Sequence, residues 1–146
     1  MTSVIASMAV AASMMATASP APQWSADYGK SLSAARTAQR PLLVVLDKPR
    51  VDSERIAQVS LTKDATQAAL LANYQLCHVD VTTPYGAKVA KAFGAKEFPY
   101  TTITDKTVSA IVFRNAGRFS TADWITTLVA HKDGRNTLRA AQNCYT

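Results

Sequence analysis

The stretch that decides the fold is Lys96-Glu97-Phe98-Pro99-Tyr100-Thr101-Thr102-Ile103-Thr104-Asp105. Pro99 lacks an amide proton and cannot sit inside a central strand, but it can open one. An X-Pro bond is also where a cis peptide costs least. Asp105-Lys106-Thr107 has the composition of a turn, and residues 108–114 form a second strand-like run. The stretch therefore predicts a β-hairpin that begins at a proline.

Two further strand-like segments precede this hairpin. Residues 42–46 (LLVVL) follow Pro41 as a continuous apolar run, which is typical of a strand buried on both faces of an α/β sheet. Residues 74–81 (YQLCHVDV) form the second segment. Its alternation places Leu76, His78 and Asp80 on one face and Cys77, Val79 and Val81 on the other.

Helical segments separate the strands. The first is expected over residues 24–40, with Ser25 as N-cap. A short helix over residues 54–61 and a capping box from Asp64 to Gln67 follow. Thr83 and Pro84 should open the next helix and Gly94 should end it, and Ser120 should cap the last one. The expected inner faces are Trp24, Tyr28, Leu32 and Ala35; then Tyr85, Val89 and Phe93; then Trp124, Ile125, Leu128 and Val129.

Composition indicates one globular domain that carries excess positive charge. The chain has 146 residues, 48% of them apolar, and a net charge of +6. Its basic residues are scattered, and no run of five or more occurs. Because a nucleic-acid interface needs basic residues clustered on one face, we expect no nucleic-acid partner. A protein or peptide of unknown identity is the expected partner.

The N-terminal stretch predicts export. Residues 4–16 are small, apolar and uncharged, which is short for a membrane span, and Ala16-Thr17-Ala18 fits a signal-peptidase site. The alternative is a disordered or misannotated start, since residues 1–3 lack a basic side chain. The predicted organisation is a signal peptide (1–18), a linker (19–23), a domain (24–131) and a polar tail (132–146). The mature chain would then be periplasmic or secreted, without stable membrane insertion.

Candidate chemistry is sparse. The loop that follows residues 42–46 lies at the sheet edge where α/β proteins usually place their sites. It contains Asp47 and Asp52, but neither has an evident partner for a catalytic pair, and a solvated loop is the expectation. His78 is predicted to be a hydrogen-bonded structural residue, and His131 has no ligand-type neighbour. We therefore predict no zinc or other metal site, no cofactor and no catalytic residue.

The order of elements resembles the thioredoxin fold over about residues 24–131. The residues that carry the likeness are the central strand after Pro41, the segment from Phe93 to Thr101, and Gly117 after the last strand. The resemblance implies an α/β fold with a central mixed sheet flanked by helices and a C-terminal hairpin and helix. It also implies that Pro99 is cis and that extended polypeptide binds beside it.

The sequence departs from this family at the position of its chemistry. Family oxidoreductases carry Cys-x-x-Cys after the central strand, where this chain has Val51 and Glu54. Dithiol exchange needs an attacking thiolate and a second cysteine to resolve the mixed disulfide. The resemblance therefore implies a redox-inactive binding or scaffold module. The candidate peptide-binding patch, within the loop 48–53 and the proline segment, is Phe98, Pro99, Tyr100, Pro49, Arg50 and Val51.

The chain has two cysteines, Cys77 and Cys144. Cys77 lies in an apolar strand, where burial lowers thiol reactivity, whereas Cys144 lies in the tail. The two could form a disulfide in an exported protein. The alternative function is thiol–disulfide chemistry that uses Cys77 or Cys144 outside the family motif.

Overall fold

The computed structural model describes residues 22–56 and 65–135. The elements are α1 (Tyr28–Ala38), β1 (Leu42–Asp47), α2 (Ala65–Leu71), β2 (Gln75–Asp80), α3 (Pro84–Phe93), β3 (Tyr100–Thr104), β4 (Ile111–Ala116) and α4 (Thr121–His131). The four strands form one sheet in the order β2-β1-β3-β4, in which β1 and β2 are parallel and the other neighbours are antiparallel. This confirms the mixed sheet flanked by helices. A 3-10 turn at Asp52–Glu54 follows β1.

Several predictions fall on residues outside the described ranges and stay predictions. These are the signal peptide at 1–18, most of the linker and of the tail, most of the helix expected at 54–61, Asp64 as a cap, and Cys144. Within the described ranges, no helix combines the length and the apolar character that crossing a membrane requires.

Strand β1 is the centre of the core, as its continuous apolar run predicted. All six of its residues are buried. Leu42, Val44 and Leu46 face a cluster that α1 and α3 complete. Leu43 and Val45 face a second cluster, which is completed by α2 and α4. The sheet is therefore covered on both faces, because side chains alternate along a strand.

The predicted start of the first helix is wrong. Helix α1 begins at Tyr28, and its N-cap is Asp27, whose carboxylate accepts the Lys30 amide at 2.9 Å. Ser25 instead pairs with the outer edge of β2: its amide donates to the Leu76 carbonyl and its carbonyl accepts the His78 amide. Ser25 thus forms an isolated bridge with β2 instead of capping a helix. Trp24 packs on the cluster that α2 and α4 complete rather than on a helix face.

The predicted caps of α3 are confirmed, but the prediction of its buried face is only partly correct. The Thr83 hydroxyl accepts the Gly86 amide, Pro84 occupies the first turn, and Gly94 ends the helix with φ +69°. Tyr85 is 47% exposed rather than buried. Its hydroxyl accepts the Tyr28 amide at 2.9 Å, so Tyr85 ties the start of α1 to α3 from the surface.

Helix α4 shows one similar correction. Ser120 accepts the Asp123 amide as the predicted cap, and Trp124 and Leu128 are fully buried one turn apart. Val129 is 48% exposed, because the sheet covers only the face that Trp124 and Leu128 share.

The hairpin forms with a longer turn than predicted. Strand β4 begins at Ile111 rather than residue 108 and continues through Ala116, past the predicted end at residue 114. The turn is organised by Asp105, which is buried and accepts the Ser109 amide and hydroxyl at 2.9 Å each. Within it, Val108 adopts a φ of 57°, a conformation rare for a β-branched residue.

The Asp105 contacts predict a pH-dependent contribution to stability. Burial alone would raise the pKa of Asp105, but hydrogen bonds from Ser109 and Ala110 outweigh it and hold the pKa below its ordinary value of 3.8. A carboxyl with a lowered folded pKa stabilises the fold above the unfolded pKa, and this contribution is lost as the pH falls through the folded value. We expect Asp105→Asn to cost about 1–2 kcal/mol at pH 7. Urea unfolding at pH 7 and pH 3 measures this cost. The difference in the free energy of unfolding between Asp105→Asn and wild type should be smaller at pH 3 than at pH 7. An equal difference at both pH values would contradict the stabilising role of the Asp105 carboxylate.

Candidate functional site

The loop after β1 is a closed turn held by main-chain and side-chain contacts. The Lys48 amide donates to the Glu54 carbonyl, and the Val51 amide donates to the Lys48 carbonyl. The Lys48 ammonium pairs with both Glu54 carboxylate oxygens at 3.0 and 3.1 Å. Val51 and Glu54 are the positions at which the sequence resemblance implied the family thiols. Here one position is an exposed valine and the other is half of an ion pair.

The proline segment lies beside this loop because β1 and β3 are neighbours. The Phe98–Pro99 peptide bond is cis, as the resemblance implied. The Pro99 carbonyl accepts the Gly117 amide at 2.8 Å, and Gly117 adopts a φ of 102°. Tyr100 pairs with Leu46 of β1 and Ala116 of β4.

The structure brings together only part of the candidate patch at the surface. The Lys48 ammonium lies 5.5 Å from the centre of the Phe98 ring, which links the loop to the proline segment. Phe98 and Pro49 are half-buried, and Arg50 and Val51 are exposed. Pro99 and Tyr100 are buried, so they can support the surface from below rather than contact a partner.

A cleft adjoins this patch on the side of α3. It has a volume of about 440 Å³, which is in the usual range for ligand sites. Lys48 and Phe98 form one wall, and the C-terminal turn of α3 forms the other. Its lining residues are Lys48, Val81, Ala87, Ala90, Lys91, Gly94, Ala95, Lys96 and Phe98. Sequence reasoning missed the α3 wall, because Lys91 looked like an ordinary solvated lysine.

Cys77 is buried in its strand, as predicted, and belongs to the cluster that α1 and α3 complete. Burial raises the pKa of its thiol to about 11, with a smaller opposing effect from a hydrogen bond with Ser31. The thiolate is the reactive form of cysteine. The proposed pairing with Cys144 stays a prediction, since Cys144 is outside the described residues.

This burial predicts slow chemistry at Cys77. At pH 7 a thiol with a pKa near 11 is ionised in only about one molecule in 10⁴. We expect iodoacetamide to label Cys77 slowly in the native protein and rapidly in 6 M urea, measured by mass spectrometry of the peptide that contains it. Rapid native labelling would contradict the assignment and favour the thiol-enzyme alternative.

Sequence reasoning also missed a partner of Asp47. Asp47 is buried at the end of β1, and its carboxylate accepts the Ile56 amide at 3.0 Å and contacts His78 Nε2 at 2.6 Å. His78 lies on β2, and its ring meets Trp24 edge-on at 6.3 Å between centroids. The signal was available, since a carboxylate ends one buried strand and a histidine lies on another. Using it required the parallel register of the two strands.

The Asp47–His78 pair has a structural role in this geometry. It anchors the loop after β1 by holding the Ile56 amide, and the predicted hydrogen-bonded role of His78 is confirmed. The second histidine, His131, packs against Phe113, and burial lowers its pKa. Across residues 22–56 and 65–135, no group of three or more His, Cys, Asp or Glu side chains could hold a metal ion.

No family model matches the sequence, and no curated protein matches it. Solved structures do match the fold. One is a thioredoxin from Thermus thermophilus, with 22% identity, a TM-score of 0.63, and coverage of 79% of this chain and 92% of that one. Another is described as DsbH oxidoreductase (12% identity, TM-score 0.57, 88% of this chain and 96% of that one).

A third similar structure is the reduced C-terminal domain of DsbD from Neisseria meningitidis. It has 13% identity and a TM-score of 0.54, and the match covers 72% of this chain and 96% of that domain. Identities at this level establish the architecture and leave activity open. Together with the sheet order and the cis-proline hairpin, these matches show that the chain has a thioredoxin-like fold.

Proposed function

We propose that this chain is an exported, redox-inactive thioredoxin-like domain that binds extended polypeptide at the patch formed by the β1 loop and Phe98. The observation that carries the proposal is the loop itself. It lies beside a cis-proline, and the sequence resemblance places Val51 and Glu54 where dithiol chemistry would need cysteines. Export rests on the uncharged N-terminal stretch of the sequence.

The contacts at this patch favour binding over chemistry. The loop after β1 offers an exposed apolar side chain (Val51) and is closed by the Lys48–Glu54 ion pair, and the adjoining proline segment offers an aromatic ring (Phe98). Such a surface can contact apolar and polar groups of an extended chain. The described cysteine, Cys77, lies in the core rather than in this patch, and burial suppresses ionisation of its thiol.

The test uses three fluorescein-labelled peptides of twelve residues. All three carry the same phenylalanine and leucine positions, and the remaining positions are glutamate, glutamine or lysine. We expect at least one peptide to bind in fluorescence anisotropy. Phe98→Ala should weaken that binding by about tenfold, since a contacting aromatic ring typically contributes more than 1 kcal/mol.

Two valines provide a matched pair of exposed variants. Val51 in the patch is 39% exposed and Val129 on α4 is 48% exposed. Val51→Ser should weaken peptide binding, whereas Val129→Ser on the opposite face of the sheet should leave peptide binding unchanged. The proposal fails if no peptide binds, or if the two serine variants behave alike. Circular dichroism would confirm that each variant is folded.

A further inference from the structure

A second cleft lies next to the first around the C-terminal turn of α3. Its volume is about 450 Å³, and it is lined by Tyr28, Lys91, Ala92, Phe93, Gly94, Ile111 and Arg114. Lys91 and Gly94 line both clefts, so the two open onto the same turn. The second cleft reaches the edge strand β4, well beyond the patch beside Pro99.

Both clefts combine apolar floors with unpaired positive charge. Their charged lining residues are all basic, and no described lining residue is acidic. Lys48 is already paired with Glu54, but Lys91, Lys96 and Arg114 form no ion pair within the described residues. The surface therefore leaves three cations without an anion.

We propose that the two clefts form one continuous site for an acidic polypeptide segment. One apolar side chain of the segment would enter each cleft, and its carboxylates would face Lys91, Lys96 and Arg114. This inference rests on the proposed function and specifies its partner. Two adjoining clefts need an elongated ligand with two anchors, which an extended peptide supplies.

The chain itself is a poor source of this segment. Its acidic residues are scattered, and only Asp52 and Glu54 lie two positions apart. Residues 1–21 carry no charged side chain, and residues 136–146 contain arginine but no acid. With a net charge of +6, a second copy would also be repelled. The charge complementarity therefore points to another, acidic polypeptide.

The three peptides described above test this inference directly. We expect the glutamate peptide to bind about tenfold more tightly than the glutamine peptide, since two or three exposed charge contacts contribute modestly each. The lysine peptide should bind most weakly. Added salt should weaken binding of the glutamate peptide more than binding of the glutamine peptide, because salt screens interactions between exposed charges.

Charge-matched double variants locate the effect. Lys91→Gln with Lys96→Gln should remove most of the difference in affinity between the glutamate peptide and the glutamine peptide. Lys30→Gln with Lys132→Gln removes the same charge from residues that line neither cleft and should change neither peptide. Equal binding of the acidic and neutral peptides would overturn this inference and leave the proposed function standing.

Two other outcomes would also overturn it. Equal losses in both double variants would mean that net charge, rather than the clefts, attracts the peptide. Displacement of the glutamate peptide by an equal concentration of dodecanoate would mean that the site takes a small amphiphile instead of a polypeptide. Failure of all three peptides to bind would remove the proposed function as well.

Discussion

Replacing Gly86 by alanine is expected to destabilise the domain by about 3 kcal/mol or more. A Cβ atom at Gly86 would lie 1.8 Å from the Asp80 carbonyl oxygen and 2.9 Å from the Val81 Cα. Both neighbours are main chain, so no side-chain rotation can relieve the overlap. The helix start would have to move away from the end of β2. Urea unfolding followed by circular dichroism measures the loss.

Gly29 provides the matched control. It lies in the first turn of α1, and a Cβ there would meet only the Asp27 carboxylate oxygen at 3.5 Å, an ordinary contact. Because alanine is favoured over glycine in helices, Gly29→Ala should stabilise the protein by up to about 1 kcal/mol. If Gly86→Ala proved as stable as Gly29→Ala, the close approach of α3 to β2 would be wrong.

Asp47→Ala is expected to cost about 3 kcal/mol, because it leaves buried polar groups without their partner. Asp47 is 1% exposed, and its carboxylate contacts both the Ile56 amide and the His78 ring. Its loss should also loosen the loop that presents Val51, so peptide binding should weaken along with stability. Urea unfolding and the anisotropy assay measure the two effects separately.

Asp52 is the control for this substitution. It lies in the same loop, but its side chain is 92% exposed and its ion pair with Arg55 spans 3.3 Å at the surface. Exposed ion pairs contribute little, so Asp52→Ala should leave the unfolding midpoint unchanged. Asp47→Asn should be milder than Asp47→Ala, since an amide oxygen can still accept the Ile56 amide. Equal stability of the two alanine variants would contradict the structural role of Asp47.

Features that depend on local chemistry could be predicted from the sequence. The uninterrupted run at 42–46 indicated a strand buried on both faces, and Thr83, Gly94 and Ser120 indicated helix ends. Each of these signals acts within a few residues along the chain. The cis bond before Pro99 came from the resemblance, which tied that proline to a known fold.

Features that depend on distant partners could not be predicted. Ser25 was predicted to cap a helix, but its main chain pairs with β2. Tyr85 was predicted to be buried, but it is exposed and its hydroxyl accepts the Tyr28 amide. The Asp47–His78 contact depends on the register of two parallel strands. The cleft of the candidate site is lined by both Lys48 and Lys91. These residues are distant in sequence, so no local pattern could predict that they line the same cleft.

The central claim is that this domain binds polypeptide without thiol chemistry, and a cysteine-free variant tests it most directly. The measurement is the dissociation constant of the tightest-binding of the three peptides for Cys77→Ala with Cys144→Ala, with and without dithiothreitol. The account predicts a value within about twofold of wild type in both conditions. Loss of binding in the variant, or capture of a cysteine-containing version of the peptide only as a reducible adduct with wild type, would contradict it.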